Sequence, residues 1–246
     1  MVEKFFSFFA DNFPPWWAIA YGGPLGLIWA YLCLSFAGFL KLRKGLRTGY
    51  SRKTLHFLIF ATVALVQWIG GTPFACLFGG MTSLVVLYAV LRGSGHPLYE
   101  AMARESDAPH QTYFIVAPYF ATLIGGLGSN ILPGDAAVIG YLVTGFGDAV
   151  GEPVGVRFGR HKYRVPSFRG VESKRSLEGS AAVLIACLVA IPLAVLLCPS
   201  LALSSRSILT IPLLAIACAV VEAISPHGWD NATMQVIPTF LAVRWL

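Results

Sequence analysis

Two acids four residues apart, Asp148 and Glu152, lie inside an otherwise apolar stretch of the chain. On a helix that spacing puts both carboxylates on one face, about 6 Å apart. Asp148 follows Asp135 by 13 residues, roughly 20 Å of helix at about 1.5 Å per residue, so it falls within the span rather than at its mouth. An ionisable group at that depth is expensive to keep and reads first as functional. Glu222 closes a later apolar stretch, and Asp230 with Asn231 opens the last one. Carboxylates converging beside cations suit a divalent metal and a polyphosphate, because magnesium takes one or two carboxylates, keeps waters and accepts phosphate oxygens as its remaining ligands. The competing reading is an ion pair made for packing, with Arg52, Lys53 or Lys174 as the partner.

A second polar cluster spans Glu172 to Ser180. Ser176 suits a helix N-cap, which would leave backbone N–H groups, Lys174, Arg175 and Ser180 around a positive helix end where a phosphate is favoured. Glu178 in the first turn is explained equally well by ordinary helix capping. Gly147, Gly151, Gly155 and Gly159 recur every fourth residue. That stripe predicts close helix packing and matches no nucleotide-binding fingerprint. Its expected use is to hold the Asp148 and Glu152 face rigid.

The elements that carry these groups are set by composition. Of 246 residues, 56% are hydrophobic and only 12% charged, with a mean hydropathy of +0.69. Soluble domains carry roughly a quarter charged residues, so this chain is expected to be an integral membrane protein. Disorder, collagen-like repeats and a disulfide scaffold are excluded by the same figures. Eight apolar stretches, 16–40, 55–70, 73–91, 113–132, 136–156, 179–197, 207–224 and 229–246, predict an all-α polytopic bundle of about seven to eight transmembrane helices. The second and last are short and suit tilted or partial spans. A single transmembrane catalytic domain is expected over 1–246. Its segment 1–15, with Phe5, Phe6, Phe8, Phe9 and Phe13, runs into Pro14, Trp16 and Trp17 and reads as an interfacial anchor, not a cleavable signal. Cys33, Cys76, Cys187, Cys198 and Cys218 form no CxxC pair and read as packing residues.

Fifteen of the 18 basic residues fall in the connections 41–53, 92–112 and 157–178, leaving Lys4, Arg206 and Arg244 elsewhere. By the positive-inside rule those connections are cytoplasmic, and the N-terminus and the turns near Gly71, Pro133 and Ser204 lie outside. His56, His96, His110, His161 and His227 fall on or near the same basic face. The net charge of +6 is thereby read as topogenesis and attraction to anionic lipid, not nucleic-acid binding.

Four ordered motifs carry a resemblance: RKTLHF from Arg52, GDAVGEPVGVRFGRHKY from Gly147, KRSLEGSAA from Lys174, and a closing Glu222 with Asp230 and Asn231. Over about residues 50–240 the chain resembles the membrane polyprenol kinase family, which includes dolichol kinase, phytol kinase and CTP-dependent diacylglycerol kinase. It departs from the family where Gly151-Glu152 stands for a usual Ala-Asp, and where DNATMQVIP replaces DNLTVP. The resemblance implies transfer of the γ-phosphate of CTP, or another nucleoside triphosphate, to the hydroxyl of a lipid alcohol such as a polyprenol, dolichol or phytol, with Mg2+ or another divalent cation. It implies that Asp148, with Glu152 or Glu178, holds the metal. Lys162, Lys174 and Arg175 would neutralise phosphates, with Arg52, Lys53 and His56 completing the cationic wall and Ser180 and Asn231 contacting the nucleotide. Asp230, with Glu222 second to it, would take the lipid hydroxyl's proton. The expected partners are a lipid alcohol, a nucleoside triphosphate and membrane lipids. Two alternatives stand beside this reading. His227-Gly-Trp-Asp230 is similar to part of the ending of phosphatidate cytidylyltransferases, without its second Gly and its Arg. A transporter would also bury acids and bases, but no repeated halves are visible.

Overall fold

The computed structural model describes residues 2–131, 134–198, 200–203 and 207–246. The predicted turns near Pro133 and Ser204, and Arg206, lie outside the described residues. The fold is an all-α bundle with one small hairpin. In chain order it comprises α1 (Val2–Asp11), α2 (Gly23–Leu42), α3 (Thr48–Gly70), α4 (Thr72–Arg92), the short α5 (Pro97–Glu100) and α6 (Tyr113–Ile131). There follow α7 (Ala137–Leu142), α8 (Ala149–Phe158), strands β1 (Lys162–Val165) and β2 (Ser173–Ser176), α9 (Leu177–Leu196), α10 (Ser207–Ile224) and α11 (Asp230–Trp245).

Among the described residues six helices are long and apolar enough to cross a membrane: α3, α4, α6, α9, α10, and α2 with the wide turn Ala18–Gly22 before it. Hydrocarbon offers the backbone no hydrogen bonds, so such segments must satisfy themselves as helices. Their outward faces are apolar; Leu91 and Ile208 are both 76% exposed, an arrangement that lipid stabilises and water would not. The remaining two apolar stretches behave differently. One is a broken rod in which a π-helical turn, Val143–Asp148, joins α7 to α8. The other, α11, packs against α6, α7 and α10, buries the polar side chains of Gln235 and Thr239 and leaves Phe240 and Val243 exposed.

Two apolar clusters hold the bundle. The larger is built on Ile139, Val143, Val183, Ile191, Leu214 and Met234, and the smaller joins α2, α3, α4 and α5 through Leu34, Leu55, Val85 and Leu98. All five cysteines are free, and all but Cys76 are buried, as packing residues should be. At the basic end polar contacts tie the connections together. Lys41 Nζ bonds Glu100 Oε2 at 3.1 Å, Glu105 Oε1 at 2.9 Å and the Ala103 carbonyl at 2.8 Å. Burial works against the Glu105 charge, but hydrogen bonds from Thr48 and Lys41 pull its pKa down to about 2. His227 N–H donates to the Pro166 carbonyl at 2.8 Å. Of the N-terminal aromatics Phe8 is buried, whereas Trp16 and Trp17 are exposed.

Candidate functional site

The glycine stripe does what its spacing predicts. A Cβ on Gly147 would stand 2.9 Å from Cys187 Sγ, one on Gly151 2.8 Å from Val183, and one on Gly155 2.9 Å from Ser176 Oγ. Three residues on successive turns thus press the broken rod onto α9, an approach that only glycine permits. The π-helical turn ends at Asp148, and the opposite face of the rod meets α3. Wide turns of this kind displace side chains from the regular helical positions and recur at functional sites.

On that α3 face Lys53 Nζ lies 2.6 Å from Asp148 Oδ2 and 3.9 Å from Glu152 Oε2. His56, one turn further along α3, brings Nε2 to 3.2 Å of the same Asp148 oxygen without forming a hydrogen bond. Arg104 Nη2 donates to Glu152 Oε2 at 2.7 Å. The pairing foreseen as the packing alternative is therefore present, with Lys53 as the partner of Asp148. Its contacts all fall on Oδ2, while those of Glu152 fall on Oε2, which leaves one oxygen of each carboxylate without a protein partner among the described residues.

The β-hairpin supplies the next wall. Alternation in Lys162-Tyr163-Arg164-Val165 and in Ser173-Lys174-Arg175-Ser176 suits a two-stranded ribbon, and Lys162 pairs with Ser176 while Tyr163 pairs with Arg175. Arg169 and Gly170, both at positive φ, lie in the connection between the strands. Ser176 caps α9, its Oγ accepting from the Gly179 N–H at 3.1 Å. Arg175 reaches inward: Nε contacts Glu222 Oε1 at 3.0 Å, and Nη2 donates to Asp230 Oδ2 at 3.0 Å. Burial opposes the Arg175 charge, but Asp230 and Glu222 outweigh it and hold the guanidinium pKa above its ordinary value. Arg104 is held up in the same way, burial being outweighed chiefly by Glu152.

These groups surround a cleft of about 320 Å³, the size of a small-molecule site. Of the residues singled out from sequence, Lys53, Asp148, Glu152, Lys162, Lys174, Arg175, Ser180, Glu222 and Asp230 line it. Arg52, His56 and Asn231 line a smaller chamber that adjoins it. Glu178 is outside both linings and accepts from His161, Nδ1 to Oε1 at 2.8 Å. Lys174 also contacts Glu172, at 3.1 Å, and Ser180 meets the Tyr163 hydroxyl at 2.7 Å. Sequence reasoning missed Arg104, Asp107 and the role of His227, whose Nε2 lies 3.5 Å from Asp107. The dense charges of Arg104-Glu105-Ser106-Asp107 were the available signal, set aside as topogenic.

The electrostatics of the cleft point to an anion accompanied by a cation. Two buried donors at the cleft, Arg104 Nε and Arg175 Nη1, have no hydrogen-bond partner among the described residues, and buried donors in that state call for an acceptor. Yet the described lining carries five cationic side chains against six acids. A polyphosphate entering such a cleft needs a further positive charge. No group of three or more His, Cys, Asp or Glu is gathered for a metal among the described residues. Two carboxylates with free oxygens are enough for magnesium when phosphate and water complete its shell, so the residues fit that ion bound together with a phosphate group.

Fold and cleft together define a helical integral membrane protein with a charged cleft at the end where its basic connections meet. The chain is similar to the phytol kinase of Synechocystis sp., with 29% identity over 192 residues that make up 78% of this chain and 77% of that protein. No family model matches the chain, and no solved structure matches it.

Proposed function

We propose that this protein is a kinase that passes the γ-phosphoryl group of CTP, or another nucleoside triphosphate, to the hydroxyl of a lipid alcohol on the cytoplasmic side of its membrane. The observation that carries this reading is the junction between two kinds of space. The charged cleft shares Lys53, Arg104, Asp148, His227 and Asp230 with the small chamber that contains His56 and Asn231, and apolar lining begins beyond it. A water-soluble polyanion and an amphiphile can meet at such a junction. The similarity to a phytol kinase supports the same class of reaction.

Phosphoryl transfer asks for positioning and charge neutralisation more than for covalent chemistry by the protein. Lys162 and Lys174 on the hairpin, with Arg175 behind them, would hold the phosphates. Asp148 and Glu152 would hold a divalent cation, whose chemistry would be to neutralise and orient the β- and γ-phosphate oxygens. The lipid hydroxyl oxygen bonds to the γ-phosphorus as the bridging oxygen departs with the nucleoside diphosphate. Asp230, which lines both the cleft and the chamber, is the acceptor for the hydroxyl proton, and Arg175 orients it.

Purified protein given CTP labelled at either the α- or the γ-phosphate, with mixed lipid alcohols, tests this reading. Radioactivity in the lipid extract from the γ-label alone is expected. Transfer of the α-label would assign a cytidylyltransferase, and no transfer of either label with any nucleoside triphosphate would remove the kinase assignment.

A further inference from the structure

Three further chambers stand in series beside the charged cleft, each sharing wall residues with the next. The first, about 30 Å³, is the junction described above. The second, about 110 Å³, shares Arg52, His56, Phe114, Pro118 and Asn231 with it. The third, about 270 Å³, shares Ile59, Phe60, Thr82, Tyr119 and Thr122 with the second. Charge is lost along the way, for among the described residues no Asp, Glu, Lys or Arg lines the third chamber. Among its polar groups Asn130 donates to the Tyr141 hydroxyl at 2.6 Å and accepts from Gln67 behind it at 3.0 Å. Beside this chamber lies α1, whose Phe8 and Phe9 form part of its wall. Phe8 is only 8% exposed although its helix is otherwise peripheral.

We propose that these chambers form one channel for the hydrocarbon tail of the acceptor and that α1 is the stop that sets the tail length. The proposal rests on the lipid-alcohol kinase reading, because continuity with the transfer cleft is what identifies the occupant as the acceptor's own tail. One channel of this kind receives one tail. A glycerol carrying two ester-linked tails has one tail more than it holds. Along α6 the channel runs from Phe114 to Leu127, about 20 Å of helix. A zig-zag chain advances about 1.2 Å per bond, as an extended polypeptide does, so that length holds roughly 16 chain carbons. The selected acceptor is a single-tailed alcohol whose chain is about that long. Width in the third chamber comes from Gly79 on α4, where a Cβ would meet nothing within 4 Å.

The test compares the wild type, Gly79→Phe, and a Phe8→Ala/Phe9→Ala variant, using γ-labelled CTP with geraniol, geranylgeraniol, undecaprenol and a diacylglycerol. Gly79→Phe fills the channel, so the kcat/KM ratio of geranylgeraniol to geraniol should fall about tenfold, the loss expected when two buried methylenes are expelled. Removing the two phenyl rings opens the far end, so the ratio of undecaprenol to geranylgeraniol should rise. Shifts in opposite directions are not what general unfolding produces. Equal ratios in all three proteins, or diacylglycerol used as well as geranylgeraniol, would overturn the channel. A geranylgeraniol analogue with a photoreactive tail separates this proposal from the kinase reading, since it reports binding without turnover. If no lipid is phosphorylated, labelling beside Gly79 and Leu123 still supports the channel, and labelling confined to outward residues such as Leu91 and Ile208 overturns it.

Discussion

Asp148 carries two obligations, one chemical and one structural. Its spacing from Glu152 marks it from sequence as a metal ligand candidate, and an amide in its place would then be cheaper to bury than the acid. Contact with Lys53 reverses that second expectation, because Asp148→Asn leaves a buried ammonium with Glu152 at 3.9 Å as its nearest acid among the described residues. Breaking a buried pair by removing one partner costs about 3 kcal/mol or more, whereas replacing both partners is often neutral. Asp148→Asn should therefore lose both transfer and thermal stability in detergent. Lys53→Met with Asp148→Asn should recover the melting temperature without recovering transfer. A double variant that melts as low as the single one would show that the pair is not what holds these helices. Retention by Asp148→Asn of more than about a tenth of wild-type transfer would remove it from the phosphoryl-transfer machinery.

Helix α8 shows how much one element can state by itself. Glycine at every fourth position is a local pattern, and its meaning, a helix pressed on a neighbour, was readable before the neighbour was known. That neighbour is α9, with Val183 opposite Gly151 and Ser176 opposite Gly155. Gly151→Ala should lower stability by about 1–3 kcal/mol through overpacking, and it should reduce transfer because Glu152 sits on the displaced turn. Adding Val183→Ala removes the methyl that the new Cβ strikes. Thermal melts that place this double variant below Gly151→Ala would refute the close contact. The hairpin is the opposite case. From sequence its residues read as a basic connection, since eight alternating positions separated by a loop are a weak strand signal in a chain full of helices. Only the pairing of Tyr163 with Arg175 shows that Arg175 is aimed inward while Lys162 and Lys174 stay exposed.

At the scale of the molecule, membrane residence and the gathering of basic connections at one end follow from hydropathy and charge counting. The cytoplasmic orientation of that end is the prediction that belongs here. In a background lacking the five native cysteines, Phe168→Cys and Ala202→Cys should react with a membrane-impermeant maleimide from opposite sides, Phe168→Cys only after the cytoplasmic side is opened. Labelling of Phe168→Cys in intact cells would put the cleft on the wrong side for cytosolic nucleotide.

Periodicity, apolar run length and residue type are local, so the sequence by itself determined the membrane class, the helical bundle, the glycine packing face and most residues of the cleft. Partner choice is not local. Tertiary structure decided that Lys53 pairs with Asp148, that Arg175 bridges Glu222 and Asp230, that Glu178 turns to His161, and that Arg104 belongs to the site. Each of these contacts joins segments that are 17 to 95 residues apart or lie on separate helices, and their geometry depends on where α3, α8, α9 and α11 come to rest against one another. The same is true of the apolar channel, which is a space between helices and has no residue pattern of its own.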